Sequence, residues 1–410
     1  MTLPLTEEQD MLSRSVAEFV ADRASLAQFR QWRERTTETA FDSALWREMA
    51  EMGWSGIALD EEYGGSGLGF SGLGLVLEQF GRHLSITPMN ATVLAGATAI
   101  SLLGTAAQKK QWLPAVASGE LTLTLAWDEG AHFSPWNIAT RAERVADGWR
   151  LSGTKRHVEE LSSVDQIIVV ARVEGETADS GEFGAGASGR DGLAVFVVPR
   201  DAKGVSVVAT PRVDARNCGT LTLDGVMLDD AARLGGAQSG VGVSAAASAC
   251  AAHIDAATAL ERLACVINAG LAAELLGISE ETFVRTIKYL QERSQFGKLI
   301  GSYQALQHRA AHWFVELQLA RTLVQEALLA LDKASDAEGY LHAESLSSMA
   351  KAKLAQVAEL STNEAIQMHG GIGMTDAFDI GLYIKRARVL EQAYGDQHYH
   401  LDRLAALEGY

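Results

Sequence analysis

Tyr289-Leu-Gln-Glu-Arg-Ser-Gln-Phe-Gly-Lys-Leu-Ile-Gly-Ser-Tyr-Gln304 joins two runs of helical periodicity and decides the reading of the chain. The first helix is expected to end near Phe296-Gly297, a glycine-containing turn follows, and a second helix starts near Gln304. Arg293 and Gln295 sit beside that turn, where a cation and an amide can meet an anionic ligand. A capped helix–turn–helix with a solvated arginine explains the same residues equally well. Further on, Gln367-Met-His-Gly-Gly-Ile-Gly-Met374 breaks another helix. Its glycines let backbone N–H groups approach a phosphate, although a plain helix terminator reads the same way.

Working outward, Leu306, Ala310, Phe314, Leu317, Arg321, Val324 and Leu328 mark one long helix, and Met349 to Met368 another. Successive long amphipathic helices predict a bundle. Upstream, Ile167–Val173, Leu193–Pro199, Val205–Thr210 and Leu221–Gly225 are β-branched or alternating runs of strand length, with no helical pattern between them. They predict an antiparallel barrel or sandwich rather than a βαβ sheet. The spacer from Glu174 to Gly192 reads as a loop. Before Gly119 the pattern is helical again. Thr6 and Gln9 form a candidate capping box, Ser43 to Met52 is a helix stopped by Gly53, and Glu62-Tyr-Gly-Gly-Ser-Gly-Leu-Gly69 is a loop. The fold class is therefore α+β. Its expected domains are residues 1–120 (helical), 121–235 (β) and 236–410 (helical bundle).

The 410 residues carry 35 Lys+Arg against 52 Asp+Glu, a net charge of −17, which argues against nucleic acid as a partner. Hydrophobic residues at 47% and charged residues at 21% fit a globular chain. Cys218, Cys250 and Cys265 show no metal-ligand spacing, so no metal is expected, and a reducing cytoplasm fits best. No signal peptide is read at the N-terminus. Charged residues interrupt the Ala-rich stretch from Val243 to Leu276, so no membrane span is expected. His253, His398 and His400 read as surface or helix-packing histidines.

With their order and layout, these segments resemble the acyl-CoA dehydrogenase family from Leu5-Thr-Glu-Glu-Gln9, through Glu61-Glu-Tyr-Gly-Gly65, to Leu404. The resemblance extends in particular to the small subunit of pimeloyl-CoA dehydrogenase-like proteins and other bacterial heteromeric members. It implies a helical domain, a β-domain and a four-helix bundle, assembled as an oligomer of like or unlike related subunits. It implies FAD as cofactor, an acyl-CoA substrate oxidised between its α and β carbons, and electron-transfer flavoprotein as acceptor. Carried over by position, Arg293, Gln295, Phe296, Gln304, Gln367, Gly370 and Gly371 contact the adenosine and pyrophosphate end of a neighbour's FAD.

The sequence departs from that family around the flavin ring. Ala126-Trp-Asp-Glu-Gly-Ala-His-Phe-Ser-Pro-Trp136 stands where a Thr-Glu-Pro run is usual, with Glu129 in register and Asp128 in place of a hydroxyl donor. Lys155-Arg-His-Val-Glu159 replaces Lys-x-Trp-Ile-Thr. A carboxylate beside an electron-rich reduced flavin is unfavourable on Coulomb grounds. The family's glutamate base is also replaced. Tyr394 occupies the usual position and Ile267 the alternative one, and neither is a base at neutral pH. Glu261 and Asp396 lie near these positions. Two readings follow: a flavoprotein dehydrogenase, or an inactive partner that offers the nucleotide side of the FAD site to a base-bearing subunit. A flavin oxidase or monooxygenase on the same fold would need no base.

Overall fold

The computed structural model describes residues 5–34, 40–175, 189–236 and 255–410. Most of the spacer from Glu174 to Gly192, Cys250, His253 and the start of the Ala-rich stretch lie outside the described residues. Among the described residues, six α-helices come first: α1 (Glu7–Arg23), α2 (Leu26–Arg33), α3 (Ser43–Glu51), α4 (Gly69–His83), α5 (Thr98–Leu103) and α6 (Ala106–Ala117). The capping box forms at α1, with Thr6 and Gln9 each satisfying the other's backbone N–H. A wide π-helical segment, Met89–Ala97, precedes α5 and is wholly buried.

Seven strands follow among the described residues: β1 (Leu123–Ala126), β2 (Arg141–Val145), β3 (Gly148–Glu159), β4 (Gln166–Val173), β5 (Leu193–Pro199), β6 (Val205–Pro211) and β7 (Asn217–Leu228). They form one curled sheet in the order β1-β4-β2-β3-β7-β6, with β5 also on β4. Most pairings are antiparallel, but β1 and β2 both join β4 in parallel, β1 along Gln166–Val169 and β2 at Arg172–Val173. The chain between them, from Trp127 to Thr140, therefore leaves the sheet and returns to it, and this excursion carries Asp128 out against the helices. Leu151, Val158, Ile167, Val169, Phe196, Val198 and Leu221 make a separate β core.

The last segment holds α7 (Ala256–Glu292), a two-residue-per-strand hairpin of β8 (Ser294–Gln295) and β9 (Lys298–Leu299), then α8 (Gln304–Lys333), α9 (Ala337–His369), α10 (Ile380–Gln392) and α11 (Gln397–Leu407). The first helix ends at Glu292 rather than near Phe296. Ser294 pairs with Leu299, and the turn at Phe296 and Gly297 has φ of 53° and 82°, so the connection is a hairpin. The α7 helix is apolar and long enough to cross a membrane by composition, with a mean hydropathy of 1.4, yet 89% of that stretch is buried in the bundle. Its close crossing with α4 depends on two glycines. A Cβ on Gly81 would lie 2.1 Å from Glu274 O, and one on Gly277 would lie 1.9 Å from Glu78 O.

Candidate active site

A cavity of about 390 Å³ opens between the sheet and the turn joining α10 to α11. Trp127 and Asp128 from the β1–β2 excursion, and His157 and Glu159 from β3, line one side. Tyr394 and Asp396 from the turn line the other. An aromatic cluster joins the two sides. Trp127 packs edge-on against Phe133 at 5.6 Å, and Phe133 meets Tyr394 at 5.6 Å and Tyr399 at 5.4 Å. These rings seat the excursion against the bundle.

Glu129 braces the excursion from within. It accepts from Ala139 N at 2.6 Å, Thr140 N at 3.0 Å and Lys155 Nζ at 2.6 Å. Burial raises its pKa, but the Lys155 charge and these bonds outweigh burial and hold it below the usual carboxylate range. Lys155 is fully buried and donates also to Trp127 O at 3.1 Å. Neighbouring Asp128 is thus turned into the cavity. Burial raises its pKa to about 6, against the lowering effect of Lys155 and a hydrogen bond from Ser134.

Glu159 has a different environment. Arg212 Nη1 donates to it at 2.9 Å and grips Asp214 with two further bonds, 3.1 and 2.7 Å long. Asp214 receives Arg386 Nη1 at 2.9 Å, and Arg386 grips Glu274 on α7 at 2.8 and 3.0 Å. Glu274 also meets Arg216 at 3.3 Å and accepts from Asn90, in the π-helical segment, at 2.6 Å. This buried chain of alternating charges runs from the cavity wall into the helical core. Its three arginines are matched by Glu159, Asp214 and Glu274. A fourth carboxyl, Glu160, is pushed up to about 8 by burial and then by Glu159, so it stays protonated at neutral pH and the group balances. The Glu159 charge is therefore compensated by Arg212, which removes half of the Coulomb objection raised by the sequence.

The two base positions converge. Ile267 on α7 and Tyr394 line one narrow cleft together with Asn90 and Glu159. Ile267 is 1% exposed, and burial pushes Tyr394 well above the usual tyrosine range. Glu261 is tied to Arg190 at 2.6 Å and to Arg403 at 3.2 Å, away from the main cavity. Asp396 lines the cavity but caps α11, accepting from Tyr399 N at 2.9 Å. His157 is neutral, lowered by burial and by Arg156 and Arg212. His400 is packed inside and lowered to about 3 by burial and by Lys351, whereas His398 is exposed.

Lys351 on α9 had no signal in the sequence. It is fully buried, and its ammonium donates to Glu391 O at 3.2 Å, Ala393 O at 2.9 Å and Gly395 O at 2.8 Å. It thus pins the turn that carries Tyr394, which sits at φ 54°.

The residues singled out in the two glycine-containing segments lie elsewhere. Arg293 ends α7, Gln295 is in β8, Phe296 at the hairpin tip is 91% exposed, and Gln304 opens α8. Gln367 is exposed on the last turn of α9, and a Cβ on Gly370 or Gly371 would meet nothing within 4 Å. Tyr289 stacks on His369 at 4.3 Å, which sets the ends of α7 and α9 side by side. None of the seven lines the cavity.

Family models match the chain at both ends. The sequence pattern described as the acyl-CoA dehydrogenase N-terminal domain matches residues 6–120, and that described as its C-terminal domain matches residues 256–407. Acyl-CoA dehydrogenase FadE12 of Mycobacterium tuberculosis is 29% identical over 388 residues, covering 94% of this chain and 91% of that protein. A solved variant of the Tcur3481–Tcur3483 steroid ACAD superposes with a TM-score of 0.79 at 30% identity over 98% of both chains. The ChsE4–ChsE5 complex from Mycobacterium tuberculosis superposes with a TM-score of 0.79 at 24% identity over 100% of both chains.

Proposed function

The chain belongs to the acyl-CoA dehydrogenase family, and on that premise we propose that it is a FAD-dependent enzyme that oxidises an acyl-CoA thioester between its α and β carbons. The observation that carries this reading is the cavity of about 390 Å³, which brings an ionisable carboxyl, aromatic walls and a charge-compensated Glu159 together. That volume is in the range of small-molecule sites. The cavity suits a planar ring: Trp127, Phe133 and Tyr399 supply apolar faces, and Arg212 neutralises the carboxylate beside them. FAD, when bound, supplies the hydride acceptor.

The chain's own residues do the rest. The aromatic cluster gives the cavity an apolar wall, the Glu129–Lys155 brace fixes the sheet-side excursion, and Lys351 fixes the turn opposite. Arg293, Gln295, Phe296, Gln304, Gln367, Gly370 and Gly371 would hold the nucleotide end of FAD. They lie outside the cavity, so each FAD would be shared between two subunits, which makes an oligomer part of the proposal. The exposed apolar side chains Phe296, Ile372 and Met374 at that end support an interface there. Electron-transfer flavoprotein is the proposed acceptor, the cytoplasm the proposed compartment, and a fatty or steroid side-chain acyl group the proposed substrate class.

A second reading rests on Tyr394 and Ile267, since both family base positions are occupied by groups that do not ionise at neutral pH. In it, the chain serves as the nucleotide-side partner of a related, base-bearing subunit. Dye reduction by the FAD-loaded chain alone, across a panel of acyl-CoA thioesters, tests the first reading. Turnover supports it. Turnover only after mixing with a glutamate-bearing relative supports the second.

A further inference from the structure

Gly370 and Gly371, the two glycines offered to the nucleotide, open the connection from α9 to α10. It is a 3₁₀ turn over Gly370–Met374 followed by further turns up to Asp379, where α10 is capped. A Cβ on either glycine would meet nothing within 4 Å, and Gly370 sits at φ 67°. Backbone N–H groups bind a phosphate well only when they are already aimed at it. What holds the rest of the connection therefore bears on the cofactor.

At the near end, packing holds it: His369 stacks on Tyr289 of α7 at 4.3 Å and meets Phe378 at 4.8 Å. At the far end, charge does. Asp376 accepts from Arg33 Nη1 and Nη2, each at 2.7 Å, in a two-pronged pair. Asp379 accepts from Arg30 Nε at 2.9 Å and Nη2 at 2.7 Å, and its other oxygen takes Arg285 Nη1 of α7 at 3.1 Å. Arg30 and Arg33 stand three residues apart on one face of α2, whose Leu26 and Phe29 are buried in the core. The Asp379 side chain is 29% exposed and that of Asp376 62%, so the Arg30 pair is the stronger half of this clasp. Neither arginine lines the cavity.

We propose that Arg30 and Arg33 are positioning residues for the nucleotide site: from α2 they hold the Gly370–Asp379 connection in the form whose N–H groups meet the diphosphate of FAD. The proposal rests on the reading above that Gly370 and Gly371 face that diphosphate. The arginines act through the connection, so their effect on FAD is set by the fraction of molecules in which the connection has left that form. For two partly exposed pairs, that amounts to about 3- to 10-fold in affinity.

The test compares the full-length wild type with an Arg30→Gln/Arg33→Gln double variant. FAD affinity is read by calorimetric titration at a temperature where both are fully folded, and amide exchange is followed in the FAD-free proteins. The double variant is expected to bind FAD about 3- to 10-fold more weakly. Exchange should quicken at Thr375 and Phe378, whose N–H groups close turns of the connection on Ile372 O and Thr375 O. The difference in affinity should shrink near ~1 M salt, where the pairs are screened, and Arg30→Lys/Arg33→Lys should recover part of it. A merely structural role would lower Tm but leave the FAD affinity of the folded protein and these two amides unchanged, and that result would overturn the proposal. Gly371→Ala separates the clasp from the reading beneath it, since the protein has room for that Cβ and Tm should hold while FAD binding weakens. Weaker binding in Gly371→Ala beside unchanged binding in the double variant would overturn the clasp alone. Unchanged binding in Gly371→Ala, or a wild type that takes up no FAD, would overturn the nucleotide reading and the clasp with it.

Discussion

Arg212 donates from Nη1 to Glu159 Oε1 at 2.9 Å, at the point where the cavity wall meets the buried ion chain. The guanidinium serves two carboxylates, so its removal leaves both Glu159 and Asp214 short of a partner. Arg212→Met is expected to cost about 3–5 kcal/mol, as breaking a buried pair usually does. Urea unfolding of the variant against the wild type measures it, and a cost below about 1 kcal/mol would show that the chain of charges is not a unit. The isosteric Glu159→Gln should be milder, because Arg212 keeps Asp214.

Asp128 should weaken the fold at neutral pH. Its pKa rises from 3.8 in the unfolded chain to about 6 in the native one. Between those values the native state holds more protons, so the group's stabilisation is full below about pH 4 and is lost as pH rises through about 6. Asp128→Asn removes that loss. The variant is expected to be about 1–3 kcal/mol more stable than wild type at neutral pH, with the advantage vanishing near pH 4. Thermal unfolding across that pH range decides it. An equal or lower Tm at neutral pH would contradict the burial argument.

Lys351 offers a third test. Burial pushes the ammonium down to about 7, yet three carbonyls of one turn match its three donors. Lys351→Met strips those acceptors of their donor, and a buried carbonyl left unpaired costs about 1–3 kcal/mol. The Tyr394 turn should then loosen, seen as faster amide exchange at Tyr394 and Gly395. Unchanged protection there would show that helix packing alone holds the turn.

At the other end of the bundle, Arg293→Ala is expected to weaken FAD binding about 10- to 100-fold, the loss of one charge-assisted bond. Its side chain is exposed, so Tm of the FAD-free protein should not move. Calorimetric titration with FAD measures the first and thermal unfolding the second.

The helix–strand–helix order was legible because it is written in local periodicity. The α1 cap, α3 with its Gly53 stop, β4, β5 and β6 fall where alternation and capping residues place them. The end of α7 was misplaced because Ser294–Leu299 pair with each other, and a two-residue strand is too short to leave a pattern. The parallel pairing of β1 and β2 with β4 was hidden for another reason: the excursion between them carries no helix to announce a crossover. Asp128 and Glu159 were visible as departures from a family pattern, and both do line the cavity. Their opposite environments were not visible. Arg212 with Asp214, Glu274 and Arg386 come from three distant stretches, and only the fold brings them together.

The most direct measurement is anaerobic mixing of the FAD-loaded protein with acyl-CoA thioesters while flavin absorbance is followed. At least one thioester is expected to bleach the wild-type flavin in a single turnover. A wild type with full FAD that no acyl-CoA reduces would contradict the dehydrogenase reading.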